Sequence, residues 1–354
     1  MRLAIFGLTV TSSWGNGHAT IWRGLCEALT KLGHRVTFFE RDVSYYAMHR
    51  DLHGPRRYDV VLYSSWKEVE PFARKILGES DSAIVTSYCP DATRACDLVL
   101  ESTVPVRVFY DLDTPVTLQS LRRSGRVDYI PAYGLSPFDL VLSYAGGNAL
   151  DQLRQKLGAH RVAALYGSVN PELHQPVPPT GKYVSDLSYL GTYADDRQPA
   201  LERLFLEPAR RSPDQKFLIG GALYPEDFPW RENVWFVHHV PPSSHASFYC
   251  SSRLTLSVTR AAMAEMGYCP SGRLFEAAAC ETPVVTDSWD GLESFFEPGR
   301  EILVAASASD VVDALAMNAE ELQRIGAAAR ERVFAEHTSQ CRGKQLIDLL
   351  EVSA

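Results

Sequence analysis

Short apolar runs rich in Val, Ile and Leu alternate with helical stretches along the whole chain. This alternation is typical of parallel β-sheets whose crossover helices cover both faces, so it predicts an α/β protein. The predicted strands form one set before a proline-rich segment and a second set after it. They lie at residues 3–8, 36–40, 60–63, 83–86, 106–110, 140–143, 162–165, 187–190, 217–219, 234–237, 254–258, 283–286 and 302–304.

The proline-rich segment at residues 171–181 indicates a linker between two domains. With 354 residues the chain is also long enough for about two domains. We predict an N-terminal Rossmann-like domain at 1–166, a C-terminal Rossmann-like domain at 167–335, and a final helix at 336–354 that crosses back to the first domain. Two open α/β sheets joined in this way typically bind their ligand in a cleft between them.

Composition and charge argue against several classes of protein. The formal net charge is −8, whereas a nucleic-acid binder needs a basic face, so we predict no nucleic-acid partner. No run of about 18 apolar residues suggests an integral membrane segment. The 7 cysteines are scattered without a C-x-x-C pair, which predicts neither a disulfide framework nor a zinc knuckle. We therefore expect a cytoplasmic, thiol-reduced protein.

Polar groups cluster after two of the predicted strands in the first half. Gly15, Asn16, Gly17 and His18 lead directly into a helix predicted at 19–31. Free amides at a helix start favour an anion or polar ligand, although a lone histidine there is more often a simple hydrogen bonder. The loop is longer than a dinucleotide-binding turn and lacks its third small residue, so we predict an acceptor or substrate loop. Asp113 and Thr114, which follow the fifth strand, are predicted to line the same site.

A second anion-binding loop is predicted in the other half, where Ser271 and Gly272 begin a helix. Within that helix Glu276 lies among apolar residues, where a carboxylate is costly unless it has hydrogen-bond partners. Glu276 is either a surface residue on the wet side of the helix or an acceptor for the two hydroxyls of a ribose.

The run from Arg273 to Asp287 resembles the donor half of group 1 GT-B glycosyltransferases, and more narrowly their CgeB-like branch. Residues 167–176 resemble the G-V-D-x-x-x-F-x-P segment that joins the two domains of that family, and residues 191–197 resemble its phosphate-binding loop. The resemblance implies the GT-B fold, with two Rossmann-like doubly wound domains facing a central cleft, in a bacterial enzyme.

The resemblance also implies a reaction. A sugar would pass from an NDP-sugar, with UDP the favoured nucleotide, to an acceptor nucleophile such as a small-molecule or glycan hydroxyl, with retention and with no metal or other cofactor. His18 and Asp113 are the expected catalytic residues. The acceptor-binding residues would be Gly15, Asn16, Gly17, His18, Asp113 and Thr114. The donor-binding residues would be Gly191, Arg197, His238, Arg260, Ser271, Gly272, Arg273, Glu276, Gly291, Leu292 and Glu293.

One feature departs from the pattern of this family, and another imitates the motif of metal-binding transferases. Glu276 matches the second glutamate of the E-x(7)-E motif, which holds the donor ribose, but Tyr268 stands where the first glutamate is expected. Asp111 and Asp113 have the D-x-D form of metal-binding transferases. GT-B enzymes instead hold the leaving diphosphate with positive side chains and helix dipoles, so we predict no metal there.

Three other functions stay open on the sequence alone. A GT-B sugar-nucleotide epimerase or hydrolase would use the same donor site. A nicotinamide-dependent oxidoreductase is favoured by the loop at Gly15 and by Glu40, which ends the second strand about where a ribose-binding acid would lie. A non-catalytic nucleotide-sugar-binding protein is suggested by Tyr268.

Overall fold

The computed structural model describes residues 1–353, which form two units. Unit 1 comprises Met1–Gly167 and the segment from Ser339 onward, and unit 2 comprises Ser168–Thr338. Each unit is built on one parallel sheet, so the predicted α/β class with two Rossmann-like folds is confirmed.

The strands of unit 1 are β1 Arg2–Gly7, β2 Arg35–Arg41, β3 Asp59–Tyr63, β4 Ser82–Thr86, β5 Val106–Asp111, β6 Leu140–Ser143 and β7 Val162–Ala164. All are parallel, in the order β3-β2-β1-β4-β5-β6-β7. The order reverses between β1 and β4. In doubly wound sheets ligands bind at the carboxyl ends of the strands beside such a reversal.

The helices of unit 1 that precede the linker are α1 His18–Lys31, α2 Ser44–Ala47, α3 Trp66–Gly78, α4 Ala92–Glu101, α5 Thr114–Ser124 and α6 Asn148–Leu157. They cover both faces of the sheet. Phe6 of β1 stacks on Phe39 at 4.6 Å between ring centres, while Trp22 of α1 packs edge-on against Phe38. Burial on both faces explains why β1 is an unbroken apolar run instead of an alternating one.

The strands of unit 2 are β8 Ser185–Leu190, β9 Phe217–Gly221, β10 Val234–His238, β11 Ser252–Ser257, β12 Val284–Thr286 and β13 Leu303–Val304. They are parallel, in the order β10-β9-β8-β11-β12-β13. The reversal lies between β8 and β11, so unit 2 repeats the Rossmann order of unit 1 over its first six strands.

The helices of unit 2 are α7 Gln198–Leu201, α8 Glu207–Arg211, α9 His245–Cys250, α10 Ala261–Met266, α11 Gly272–Ala279, α12 Ala308–Ala316 and α13 Ala319–Glu336. A π-helical stretch, Glu202–Leu206, joins α7 to α8, and short 3-10 turns lie at Asp195–Arg197, Pro242–Ser244 and Leu292–Ser294. Leu187, Phe205 and Phe217 are among the residues that fill the core between these helices and the sheet.

The last helix, α14 Ser339–Glu351, belongs to unit 1 and packs on α1. Gly343 permits this close approach, because a Cβ there would lie only 3.4 Å from the Cβ of Ala28. Gln345 Nε2 also donates a hydrogen bond to the carbonyl of Ala164 at 3.1 Å. Among the described residues, no helix combines the length and the apolar character needed to cross a bilayer.

Candidate functional site

A buried carboxylate holds the loop between β1 and α1. Glu40, in β2, is 1% exposed. Its oxygens accept hydrogen bonds from the hydroxyls of Thr9 and Thr11 and from the backbone amides of Val10 and Thr11, at 2.5–3.0 Å. These four donors occupy the carboxylate, so Glu40 anchors the loop instead of facing the ribose of a nicotinamide cofactor. This geometry argues against the oxidoreductase alternative.

The tip of this loop faces solvent at the start of α1. Asn16 closes the turn, because its Oδ1 accepts a hydrogen bond from the amide of Ala19 at 3.2 Å. Gly15 has φ +67°, and a Cβ there would lie 2.9 Å from the hydroxyl of Tyr45, so glycine is required. Gly15 and Gly17 are exposed. The three residues predicted to contact an acceptor therefore form an ordered, accessible loop.

His18, the first residue of α1, lies beside Asp113, which precedes α5. His18 Nε2 is 3.3 Å from Asp113 Oδ2. His18 is only 8% exposed, and its Nδ1 has no hydrogen-bond partner within the described chain. A carboxylate that holds one imidazole nitrogen leaves the other nitrogen able to take a proton from a substrate. The two residues predicted as catalytic are thus neighbours in space.

Asp111, the last residue of β5, is a candidate that sequence analysis treated only as part of a D-x-D lookalike. It is fully buried, and its Oδ1 accepts hydrogen bonds from the amide of Asp113 at 3.1 Å and the hydroxyl of Thr117 at 3.0 Å. Its Oδ2 has no partner within residues 1–353. Burial raises the pKa of the Asp111 carboxyl to about 6. A carboxylate directly after the apolar run Val108–Tyr110 is the signal that could have identified it.

Thr114, the first residue of α5, is predicted to bind an acceptor. Its side chain is fully buried, and its hydroxyl is 2.7 Å from that of Ser143. The hydroxyl is used inside unit 1, so a contact with an acceptor would involve the backbone of Thr114.

In unit 2, Arg273 of α11 spans the reversal between β8 and β11. Its Nη1 donates a hydrogen bond to the carbonyl of Leu190 at 2.8 Å, and its Nη2 donates to that of Val258 at 2.9 Å. Leu190 ends β8, and Val258 follows β11. Nε donates to the hydroxyl of Ser271 at 3.0 Å. The guanidinium therefore lies where doubly wound sheets bind their ligands.

A second guanidinium, that of Arg197, lies in the segment after β8. Its Nε is buried without a hydrogen-bond partner in the described residues, and its Nη1 donates to the carbonyl of Thr192 at 3.2 Å. Burial and the nearby charge of Arg273 lower the pKa of Arg197. Within residues 1–353 neither arginine forms an ion pair with a carboxylate, whereas Arg260 Nε pairs with Asp196 Oδ2 at 2.9 Å.

The phenol of Tyr189 lies in the positive field of Arg273 and Arg197. It is buried in β8, and the guanidinium carbon of Arg273 lies 5.2 Å from its ring centre. Burial alone would raise the pKa of the phenol, but Arg273 and Arg197 outweigh it and lower the pKa. The sequence did not predict Tyr189 as a site residue, because a tyrosine in a buried strand has the pattern of an ordinary core residue.

The backbone comes unusually close to these arginines. A Cβ on Gly191 would lie 2.8 Å from Arg273 Nη1, and a Cβ on Gly221 would overlap the carbonyl oxygen of Gly191. Gly272 begins α11 after Ser271, so free amides of that helix start lie beside the Arg273 side chain. Five of the predicted donor residues are therefore brought together: Gly191, Arg197, Ser271, Gly272 and Arg273.

The remaining predicted donor residues are dispersed. Gly291 has φ +89°, and a Cβ there would lie 2.5 Å from the ring of Tyr268. Leu292 is 2% exposed, so its side chain packs in the core and only its backbone can meet a ligand, while Glu293 is exposed. His238 lies on the edge strand β10, whose position in the sheet is two strands away from β8.

Glu276 points into a group of aromatic side chains. His245 Nδ1 lies 3.2 Å from its Oε2, His174 Nε2 lies 3.9 Å from its Oε1, and the Tyr249 hydroxyl donates to Oε2 at 3.3 Å. Burial alone would raise the pKa of Glu276, but the two histidines outweigh it and lower the pKa to about 2. The sequence allowed two interpretations of Glu276, and the one in which its carboxylate has hydrogen-bond partners matches this geometry. The histidines were missed because they lie in segments far apart along the chain.

The C-terminal part of the chain resembles a known protein family. Residues 197–348, somewhat less than half of the chain, match the model of the "Glycosyl transferase-like" family. The match begins at Arg197 and includes Arg273, whereas Tyr189 and Gly191 precede it. No curated protein sequence matches the chain.

Solved structures match the whole chain at low identity. Sucrose-phosphate synthase from Thermosynechococcus elongatus is 14% identical with a TM-score of 0.70, covering 99% of this chain and 98% of its own. HepE from Anabaena, in complex with UDP and glucose, is 12% identical with a TM-score of 0.68 over 99% and 100%. An alpha-glucosyltransferase in complex with UDP and a 13-mer DNA is 13% identical with a TM-score of 0.68 over 99% of both chains. The chain therefore has the GT-B fold of glycosyltransferases, as predicted.

Proposed function

We propose that this protein is a glycosyltransferase that moves a sugar from a UDP-sugar to the hydroxyl of an acceptor. The observation that carries the proposal is the pair of half-buried guanidinium groups, Arg197 and Arg273, at the β8/β11 reversal. A buried cation without a carboxylate partner is costly, so such a pair suits a ligand that brings negative charge. A diphosphate supplies that charge and accepts hydrogen bonds from planar guanidinium groups.

The same groups would assist the chemistry. Transfer breaks the bond between the sugar and the diphosphate, and the leaving UDP gains negative charge as that bond lengthens. The guanidinium groups of Arg197 and Arg273 and the free amides at Gly272 face the β8/β11 reversal before the reaction, so they need no reorganisation when charge develops. Charge interactions of this kind are strengthened where water is excluded. This arrangement supports transfer without a metal at the diphosphate.

UDP is the proposed nucleotide because HepE and the alpha-glucosyltransferase are both described with UDP. Glu276 is the proposed partner of the donor ribose. Tyr249 donates to Oε2, while Oε1 keeps lone pairs for a hydroxyl, and 12% of the side chain is exposed. The CgeB-like branch and retention of configuration rest on the sequence resemblance.

Unit 1 is the proposed acceptor side. As the new glycosidic bond forms, the acceptor hydroxyl loses a proton, and the unpartnered Nδ1 of His18 is able to receive it. Asp113 would stabilise the imidazolium that results, because its carboxylate lies 3.3 Å from Nε2. The net charge of −8 supports a sugar or small-molecule acceptor rather than a nucleic acid.

A thermal-shift panel with UDP, GDP, ADP, dTDP, CDP and NAD tests the proposal. A ligand at 100 times its Kd stabilises the folded state by about 2.7 kcal/mol, which moves the melting temperature measurably. We expect a shift with UDP that Arg197→Gln abolishes. The control Arg211→Gln, an exposed arginine on α8, should keep the shift. A shift with NAD alone, or no shift with any nucleotide, would overturn the proposal.

A further inference from the structure

His174, His245 and Glu276 of unit 2 place two imidazole nitrogens and a carboxylate oxygen within 4.8 Å of one another. His174 lies within the proline-rich linker, His245 begins α9, and Glu276 is in the middle of α11. Within residues 1–353 this is the group of His, Cys, Asp and Glu ligand atoms close enough to share a metal ion. The D-x-D residues Asp111 and Asp113 are not part of such a group.

The first argument for a ligand is the state of His174. Its side chain is 4% exposed, yet neither ring nitrogen has a hydrogen-bond partner among the described residues. A neutral imidazole carries one N–H donor and one acceptor lone pair, so both polar atoms are buried unsatisfied. Unpartnered buried polar atoms are rare and costly, and one of these, Nε2, faces Glu276 from 3.9 Å.

The second argument is the orientation of His245. Its Nε2 is 3.2 Å from the carbonyl of Val240. A carbonyl only accepts hydrogen bonds, so Nε2 carries the proton and the neutral ring presents a lone pair at Nδ1. His245 Nδ1 lies 3.2 Å from Glu276 Oε2. A nitrogen lone pair and a carboxylate oxygen at this distance share a cation, which is either a proton on Nδ1 or a metal ion between the two atoms. The bond from the other ring nitrogen to a carbonyl is also the usual outer support of a metal-bound histidine.

The spacing is that of groups able to share one ion. Ligand atoms about 2.0–2.1 Å from a zinc ion at tetrahedral angles lie about 3.3 Å from one another. His245 Nδ1 is 3.2 Å from Glu276 Oε2 and His174 Nε2 is 3.9 Å from Oε1, and the three ligand atoms lie within 4.8 Å of one another, so an ion would draw them closer together. Two imidazoles with one carboxylate favour Zn²⁺ or a similar transition ion, whereas Mg²⁺ and Ca²⁺ prefer oxygen ligands throughout.

We propose that His174, His245 and Glu276 bind one divalent transition-metal ion, with Zn²⁺ the best fit, and that water completes the coordination. The ion clamps the linker at His174 to α9 and α11. This site departs from the sequence prediction of no metal, and it does not depend on the proposed transferase activity. A carboxylate that binds a metal through one oxygen keeps the other for a hydroxyl, so the proposed ribose contact of Glu276 stays compatible with it.

Metal binding to the full chain, freed of any affinity tag and treated with chelator, tests the site directly. Titration with Zn²⁺ in a calorimeter should give one ion per chain. Co²⁺ should produce the strong visible absorption of a tetrahedral complex. Loss of an outer-shell partner costs about 10–100-fold in affinity, so removing a ligand with His174→Gln or His245→Gln should cost about 100-fold or more. The exposed His160 supplies the control His160→Gln, which should bind as the wild type does.

A second variant covers the case in which His174→Gln does not fold. His174→Cys retains a metal ligand, and we expect Co²⁺ bound to it to show an added near-ultraviolet band from thiolate coordination. The proposal is overturned if the wild-type chain binds no stoichiometric Zn²⁺ or Co²⁺, or if His174→Gln binds them as tightly. UDP binding measured on the same samples separates this outcome from failure of the transferase proposal. A chain that binds UDP but no metal contradicts only the metal site.

Discussion

Unit 1 and unit 2 share one sheet topology, but the strand ends beside their reversals carry opposite charges. In unit 1 the segments after β1 and β5 bring together His18, Asp111 and Asp113. In unit 2 the segment after β8 and the start of α11 bring together Arg197 and Arg273. The same backbone scaffold therefore carries the proposed proton-handling site in one unit and the proposed anion site in the other. This contrast shows that the side chains at the strand ends, not the Rossmann order, decide the chemistry.

The two sites also differ in how their charges are compensated. Asp111 is buried with a raised pKa, and its Oδ1 accepts hydrogen bonds from a hydroxyl and an amide of its own unit, while its Oδ2 has no partner among the described residues. Arg197 is half-buried with a lowered pKa, and the described residues offer it no carboxylate. A carboxyl can become neutral by taking up a proton near neutral pH, whereas a guanidinium stays charged and needs an external anion. Variants at each site distinguish the two proposed roles.

The largest effect is expected at the proton-handling site. His18→Gln removes the nitrogen proposed to accept the acceptor's proton, and general base catalysis contributes about 10²–10⁴-fold. We expect kcat for sugar transfer to fall by that factor while UDP binds with unchanged affinity. Transfer kinetics together with UDP calorimetry measure both quantities. Weakened UDP binding in this variant would contradict the separation of the two sites.

A somewhat smaller loss is expected at the anion site. Removal of one donor that stabilises developing charge costs about 10²–10³-fold in rate. Arg197→Gln should lower kcat/KM by that factor and should also weaken UDP, since the nucleotide carries the diphosphate before reaction. Steady-state kinetics and calorimetry give the two values, with Arg211→Gln as the matched surface control. Normal UDP affinity in Arg197→Gln would argue against the diphosphate assignment.

The pH dependence of the free energy of unfolding tests the Asp111 carboxyl group. The pKa of Asp111 is about 6 in the folded state against an ordinary value of 3.8. The folded state therefore binds the Asp111 proton more tightly than the unfolded state does. The stability that this proton contributes is present below about pH 4 and is lost as the pH rises through about 6. The total loss in the free energy of unfolding is about 3 kcal/mol. Asp111→Asn, which cannot ionise, should match the wild type in urea unfolding at pH 4 and exceed it at pH 8.

The exposed Asp313 provides the control for that experiment, since Asp313→Asn should shift stability equally at both pH values. An Asp111→Asn variant with the same difference from the wild type at pH 4 and pH 8 would show that this carboxyl is not the titrating group.

The smallest effect is on the ligand-free stability of unit 2. Replacing a buried charged group by an apolar side chain of similar size is often neutral or stabilising, because the desolvation cost disappears. Arg197→Met should therefore be more stable than the wild type by about 1 kcal/mol without ligand, and UDP should no longer stabilise it. Urea unfolding with and without UDP measures both changes. Clear destabilisation of the ligand-free variant would mean that Arg197 serves the fold.

Much of the fold follows from local sequence pattern. A strand buried on both faces is a continuous apolar run, as β1 is from Leu3 to Phe6, and a parallel neighbour requires a helix between them. The loop at Gly15 and the start of α11 at Gly272 were recognisable because glycine and serine mark such turns. The sequence could not show how Thr114 is used, since a threonine after a strand has the same sequence pattern whether its hydroxyl faces a ligand or Ser143.

The sequence by itself determined the two doubly wound units, the linker between their strand sets, and the side chains available at each strand end. These depend on hydrophobic periodicity and turn residues, which act over a few positions. Only the tertiary structure decided that His18 meets Asp113, that Arg273 spans β8 and β11, and that His174 and His245 converge on Glu276. Each of these groups joins residues from distant segments, and their distances depend on sheet order and packing, which no local pattern records.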